Sequence, residues 1–421
     1  MTGRAMPAPG AHLVEDAPLG AMIEQEVLRA GLDRVLRAVR RHLGMDVAFI
    51  ARFGDTDRVF EYVDADGAAP IAAGQSLSLQ EGYCQKVVSG ELPQCIPDTA
   101  VLPATREIPA TVAVPIGAHM SVPISLESGA VYGTLCCFSY VPNPDLTARD
   151  MRLMHAFADV LAARIDEALA AGARSRGLHE EIRRALEGGA PRMVFQPIYR
   201  VGGGRPGVTG VEALARFDGE PLRGPDRWFE TAEAVGLRHE LELAAIAHAL
   251  PALERLPRAL FLALNVSPCL ILSGRLGPAL AGVPGERLML EVTEHATIAD
   301  YAALETALCP LRARGIRLAV DDAGAGFASM RHILNLAPDM IKLDISLTRG
   351  IDGDARRRAL ARGLVAFAHD IGCAIAAEGV ETPAELDTLR GLGVDEAQGY
   401  LLDPPLGLDE VLRRRPAASA A

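Results

Sequence analysis

Two adjacent aspartates, Asp321 and Asp322, close the mostly apolar run IRLAV and lead straight into Ala323-Gly324-Ala325-Gly326. A strand ending in paired acids is costly to bury unless something positive sits between them. One such pair is an ordinary solvated strand end, but the pattern recurs along the same half of the chain. Glu212 lies in VEALARF, Asn265 in LALNVSP, Glu291 in LMLEVTE, Lys342 in MIKLD, Glu378 in IAAEGVE and Gln398 in EAQGY. Five carboxylates, two amides and a lysine gathered on one face need further countercharge, which divalent cations supply. Oxygen ligands without His or Cys suit Mg²⁺ or Mn²⁺ rather than zinc. Paired Asp plus several Glu suffices for two ions with one bridging carboxylate. Two ions about 3.5–4 Å apart suit in-line attack on a phosphodiester.

The elements that must present these residues follow a strand, loop, helix rhythm from Met193 onward. Expected strands are 193–199, 207–217, 260–266, 288–293, 316–322, 340–344, 374–378 and 396–401. Helical patterns lie between them at 226–234, 241–256, 301–314, 356–371 and 383–392. Eight strands with intervening helices predict a TIM-like (β/α)8 barrel, whose chemistry sits at the carboxyl ends of its strands.

The first half reads differently. Apolar residues from Leu19 to Gly44 recur every three or four positions, predicting a helix. Strands are expected at 46–53 and 59–63 around the turn-rich GDTD, then near 112–116, 121–126 and 130–140, with a short helix over 78–88. From Thr147-Ala-Arg-Asp150, a capping-box-like start, a helix carries Met151, Met154, Phe157, Leu161, Ile165 and Leu169 at helical spacing. The amphipathic pattern continues over 174–186, either as a linker or as a signalling helix that also pairs two subunits. This is an α+β domain on an antiparallel sheet. The stretches SLSLQEGYCQKVVSGELPQCIPDT, VPISLESGAVYGTLCCFS and LTARDMRLMHAFADVLAARI resemble the GAF family of signal-sensing domains over residues 20–170. That resemblance implies an unknown small molecule or signal as partner. Cys84 and Cys95 fall near the ligand-facing region of such domains, where a chromophore thioether, haem or redox role is the alternative to structural packing, the better reading for both.

Composition frames these parts. A chain of 421 residues, 49% of them hydrophobic, holds more than one domain. The boundaries are a disordered tail over 1–18, the sensory domain over 19–170, a helical linker over 171–190, the barrel over 191–412 and a tail over 413–421. A formal charge of −12 argues against nucleic acid. Seven irregularly placed cysteines fit a reducing cytoplasm. No apolar run is long enough to predict a membrane span.

The second half resembles the EAL family of cyclic di-GMP phosphodiesterases over residues 178–412. FQPIY carries Gln196, and the signature Glu212-Ala213-Leu214 precedes Arg216. NVSP carries Asn265, EVTE carries Glu291 and Glu294, and IKLD carries Lys342. DDAGAGF, AEGVET with Glu378 and Glu381, and QGYLLDPP with Gln398 complete the set. The resemblance implies Glu212, Asn265, Glu291, Asp321, Asp322 and Glu378 as ligands of two divalent cations, Mg²⁺ or Mn²⁺, with Asp321 bridging. It implies Lys342, Glu378, Glu381 and Gln398 around the attacking water. Gln196, Leu214, Arg216, Gly379 and Tyr400 would hold the cyclic di-GMP substrate, Glu294 would anchor the loop after the paired Asp, and the protein would be a homodimer. An arginine fork suits phosphate recognition.

One departure stands out. The family reads DDFGTG where this chain has Asp321-Asp322-Ala323-Gly324-Ala325-Gly326. Ala323 removes an aromatic ring and Ala325 a hydroxyl. The alternative to an enzyme is a non-catalytic cyclic di-GMP receptor whose loop is weakened at this point; a third reading makes the barrel mainly a partner surface.

Overall fold

The computed structural model describes residues 19–201, 207–218, 223–293, 298–323 and 328–414. The expected tail at 1–18, the loop anchor Glu294 and the loop 324–327 lie outside the described residues, as does the expected second tail beyond Arg414. The helix Leu408–Arg414 runs two residues into that tail's expected start. The chain divides into two compact units, Met1–Gly177 and Leu178–Ala421.

In the first unit, six strands form one antiparallel sheet: β1 (Val47–Phe53), β2 (Asp57–Ala65), β3 (Ser76–Ser78), β4 (Cys95–Ile96), β5 (Ala118–Ser125) and β6 (Val131–Ser139). Their order is β3-β2-β1-β6-β5-β4. Period-two alternation gives the sheet two apolar faces. On one, Leu36 and Val39 of helix Leu19–His42 and Met154 and Leu161 of helix Ala148–Glu187 bury Ile50, Met120, Leu135 and Cys137. On the other, Tyr83, Cys84 and Val87 of helix Tyr83–Val88 cover Phe49, Phe60, Cys136 and Phe138. Each fully buried side chain of this size contributes about 1.5–3 kcal/mol against the entropy of ordering the chain.

The strand expected near 112–116 is instead the helix Pro109–Ala113. Pro109 stands in its first turn, where the missing N–H costs nothing, and the β-branched residues that suggested a strand follow it. The helix expected over 78–88 is broken into a strand end, a single turn at Leu79–Glu81 and the helix Tyr83–Val88. The helix from Ala148 runs without interruption to Glu187, through the expected linker.

The second unit is a closed eight-strand barrel. Its strands are β7 (Arg192–Arg200), β8 (Gly207–Arg216), β9 (Phe261–Asn265), β10 (Leu288–Thr293), β11 (Arg317–Ala323), β12 (Met340–Leu343), β13 (Ala374–Ala377) and β14 (Glu396–Ala397). All neighbours are parallel except β7, which runs antiparallel to both β8 and β14. The short connection from Arg200 to Gly207 permits only a hairpin, because a parallel crossover needs a dozen residues or more. Outward-facing residues such as Leu262, Leu290 and Leu318, or Ile341 and Ile375, pack in two cores outside the strands. Inward-facing residues form an apolar floor of Ile198, Phe261, Ala263, Met289, Ala319, Met340 and Ala376. Among the described residues no helix is long and apolar enough to cross a membrane.

Candidate active site

Two residues beyond five of the floor positions, the same strands turn polar. Ala263 is followed by Asn265, Met289 by Glu291, Ala319 by Asp321, Met340 by Lys342 and Ala376 by Glu378. Period-two geometry therefore stacks a charged ring on the floor, at the carboxyl ends of the parallel strands. Register sets Glu291 directly beside Asn265 of β9 and staggers the other ring residues by two positions, with Glu212 beside Ala263, Glu291 beside Ala319 and Lys342 beside Ala376.

Lys342 is at the centre and only 1% exposed. Its Nζ lies 2.6 Å from Glu378 Oε1, 2.9 Å from Glu291 Oε2, 3.3 Å from Glu212 Oε2 and 3.3 Å from Asp321 Oδ1. Gln398 Nε2 donates to Glu212 Oε2 at 2.7 Å and to Glu378 Oε1 at 3.0 Å. Asn265 Nδ2 donates to Glu212 Oε1 at 2.9 Å. Asp322 has its backbone in the left-handed region at φ 58°, a conformation Asp tolerates better than most residues, and its N–H donates to Asp321 Oδ1 at 3.0 Å. Carboxylate oxygens of Asp321, Asp322 and Glu378 lie within 4.8 Å of one another.

The electrostatics follow from burial and from this crowding. Burial works against the Lys342 ammonium, but Asp321, Glu212, Glu291 and Glu378 outweigh it and hold its pKa well above the usual lysine range. Burial, and then Glu212, push the Glu291 carboxyl up. Burial also raises Glu378, with Asp321 and Glu212 adding to it. Glu212 is the exception: burial opposes its charge, but Lys342, Gln398 and Asn265 lower its pKa overall. One lysine cannot balance five carboxylates. Among the described residues, Glu291 Oε1 and Gln398 Oε1 are buried and have no hydrogen-bond partner. Excess negative charge and orphaned oxygens fit a site for hard cations.

Several supports behind this ring left little trace in the sequence. Thr348 donates its hydroxyl to the Glu378 carbonyl. Buried Glu242 accepts from Ser267 N at 3.1 Å and Oγ at 2.8 Å, holding the turn after Asn265. Gly379 has φ 63°, and a Cβ there would fall 2.4 Å from the Ile345 side chain, so the residue next to Glu378 must be glycine. Thr382 and Glu385 form a capping box whose T-x-x-E spacing was readable.

The remaining expected residues lie outside the Lys342 cluster. Glu381 is exposed, and its carboxylate pairs with Arg349 rather than with any of the cluster's groups. Gln196 is buried and donates from Nε2 to the Asp403 carbonyl at 3.1 Å. Leu214 and Arg216 are half-buried on β8, and Arg216 Nη1 donates to the Ala215 carbonyl at 2.8 Å. Tyr400 is 67% exposed, two residues beyond Gln398.

Comparison with known proteins agrees with this architecture. Residues 26–166 match the GAF domain model and residues 179–405 the EAL domain model. The cyclic di-GMP phosphodiesterase NbdA of Pseudomonas aeruginosa is 34% identical over 251 residues, covering 56% of this chain and 32% of that protein. A second cyclic di-GMP phosphodiesterase of that organism is 32% identical over 239 residues, covering 53% of this chain and 40% of that protein. The chain thus spans well under half the length of these relatives. The PaMucR phosphodiesterase in complex with c-di-GMP aligns with a TM-score of 0.50 and 27% identity, over 56% of this chain and 99% of that one. The EAL enzyme Bd1971, bound to cAMP and cyclic di-GMP, shares the fold at a TM-score of 0.55 and 17% identity, over 88% of this chain and 93% of that one. With the 179–405 match covering more than half of its length, the chain belongs to the EAL domain family.

Proposed function

We propose that the barrel is a metal-dependent phosphodiesterase that opens cyclic di-GMP to linear pGpG. The observation that carries this reading is Lys342 ringed by carboxylates, beside the Asp321–Asp322–Glu378 group of oxygens. Two divalent cations, Mg²⁺ or Mn²⁺, would be held by Glu212, Asn265, Glu291, Asp321, Asp322 and Glu378. When bound they supply activation of water and charge relief at the leaving ribose 3′-oxygen. Lys342 holds the attacking water and offsets charge developing on the phosphoryl oxygens. Gln398, already fixed by Glu212 and Glu378, orients that water. Gln196, Leu214, Arg216, Gly379 and Tyr400 bind the substrate, Glu294 anchors the loop after Asp322, and Glu381 steadies the surroundings through Arg349. Names of the relatives support the substrate.

The GAF domain regulates the barrel in a cytoplasmic homodimer through the helix Ala148–Glu187, on binding a ligand that favours one of two states. Ala323 supports the second reading, a receptor without turnover: it is buried where the family has Phe.

The test is hydrolysis of cyclic di-GMP by the full chain with Mg²⁺, Mn²⁺ or EDTA, beside Asp321→Ala and Glu212→Ala. Metal-dependent pGpG, lost in both variants, establishes the enzyme. Tight binding with no product under either metal establishes the receptor instead, and Ala323→Phe then tests whether the missing ring is the cause.

A further inference from the structure

A cavity of about 290 Å³ lies within the first unit, on the sheet face covered by helix Tyr83–Val88. Phe49, Phe60 and Phe138 give it apolar walls, and Arg58, Cys84 and His119 reach it. Arg58 is only 4% exposed, and among the described residues no carboxylate pairs with it. Its Nε has no hydrogen-bond partner, and its guanidinium fills the space a Cβ at Gly82 would need, with Nη1 1.6 Å from that position. Gly82 therefore lets a buried cation approach the start of the helix that carries Cys84. His119, stacked on Tyr83 at 4.3 Å, adds no charge: burial, then Arg58, push its pKa down to about 3.

Cys84 Sγ lies 3.5 Å from Cys136 Sγ. Cys136, in the middle of β6, also contacts Ser121 Oγ and Thr134 Oγ1, each at 3.1 Å. The adjacent Cys137 packs on the opposite face of the sheet, away from the pair. Oxidation needs a thiolate, a neighbouring thiol and access for the oxidant. The Cys136 thiol beside Cys84 brings the Cys84 pKa down to about 6 against the opposing effect of burial, with Arg58 adding to it, whereas burial holds Cys136 well above its usual range. The pair is thus asymmetric, with a nucleophile facing the cavity and a second thiol behind it.

We propose that Cys84 and Cys136 are an oxidation site, converted by a hydroperoxide entering the cavity into a disulfide within the first unit. The Cys84 thiolate attacks one peroxide oxygen, the O–O bond breaks, and water or an alcohol leaves after taking up a proton, giving a sulfenic acid on Cys84. Cys136 then attacks that sulfur; the S–S bond forms, the S–O bond breaks, and the hydroxyl leaves as water with the Cys136 proton. The two thiols lose two electrons and the peroxide gains two. Closing the sulfurs to about 2.05 Å moves the short helix Tyr83–Val88 rather than the strand, because β6 is paired on both sides. Tyr83, bonded to Thr111 and stacked on His119, moves with that helix. The reaction reshapes the cavity wall and is independent of the barrel's chemistry.

The test exposes the full chain to hydrogen peroxide, alkylates remaining thiols and maps the peptides by mass spectrometry. A Cys84–Cys136 cross-link that dithiothreitol reverses is the expected result. Cys136→Ser should stop at a dimedone-trapped sulfenic acid on Cys84, and Cys84→Ser should give neither product. Arg58→Gln, checked for folding by circular dichroism, should form the cross-link roughly tenfold more slowly as thiolate is lost. Cys84 and Cys136 both alkylated after the exposed Cys269 and Cys309 have been oxidised would overturn the proposal. An unchanged rate in Arg58→Gln would remove the guanidinium from it.

Discussion

Lys342 Nζ and Glu378 Oε1 meet at 2.6 Å although strand register sets Lys342 beside Ala376, two residues before Glu378. The lysine does more than neutralise one partner: it is the only cation among the described residues in contact with Glu212, Glu291, Asp321 and Glu378. Removing it leaves buried carboxylates uncompensated. Lys342→Met should abolish pGpG formation and lower stability in EDTA by about 3–5 kcal/mol. Saturating Mn²⁺ should recover part of the stability and none of the activity. Denaturant melts with and without metal, beside a product assay, check both halves.

Cation binding should itself stabilise the fold. Free Mn²⁺ at about a hundred times its Kd should add roughly 2.7 kcal/mol, visible as a rise in Tm over the EDTA-treated chain. Asp321→Ala and Asp322→Ala should each suppress that rise. Calorimetric scans across a manganese series provide the measurement.

Gln398 ties Glu212 to Glu378 through one amide nitrogen. Gln398→Ala should reduce kcat or metal affinity by about 10–100-fold, the range seen when the groups orienting ligands are lost. Steady-state kinetics at several metal concentrations separate the two effects.

Glu385 provides a pH-dependent contribution away from the cluster. Burial opposes its charge, but the N–H groups of Gly350, Glu381 and Thr382, donating at 2.7, 2.9 and 3.0 Å, hold its carboxyl below the ordinary range. A depressed carboxyl stabilises the fold above its unfolded pKa of about 4.3 and loses that contribution as pH falls through the folded value. Glu385→Gln should therefore be less stable than the parent at pH 7. The gap should narrow below about pH 4, as urea melts at a series of pH values will show.

Gly379→Ala should destabilise the barrel by at least about 1–3 kcal/mol, combining a left-handed backbone with a clash against Ile345. Loss of activity without loss of stability would contradict this account of the residue.

Much of the barrel was legible because its strands are short apolar runs buried on both faces, in which acids such as Glu291 and Asp321 stand out. The reversed direction of β7 was not read from its residues; it follows from the brevity of the connection to β8. At 112–116, β-branched residues suggested a strand, while the helix-starting signal was Pro109 just upstream. Glu381 was readable as an acid near Glu378, but its pairing with Arg349 depends on two loops meeting in space. The Arg58–Cys84–Cys136 group was hidden for the same reason: β2, a short helix and β6 supply one residue each.

Beneath Asn265, Asp321 and Glu378 the barrel floor carries only alanines: Ala263, Ala319 and Ala376. Strand number and register set the width of the barrel, and small side chains at this level leave room inside it directly beneath the acids. A methyl group or two added at Ala319, which is fully buried, would touch no cation and no substrate, yet it would overpack the layer on which both must rest. The tolerance of this site to change is therefore decided one layer below it, by residues with no chemistry of their own.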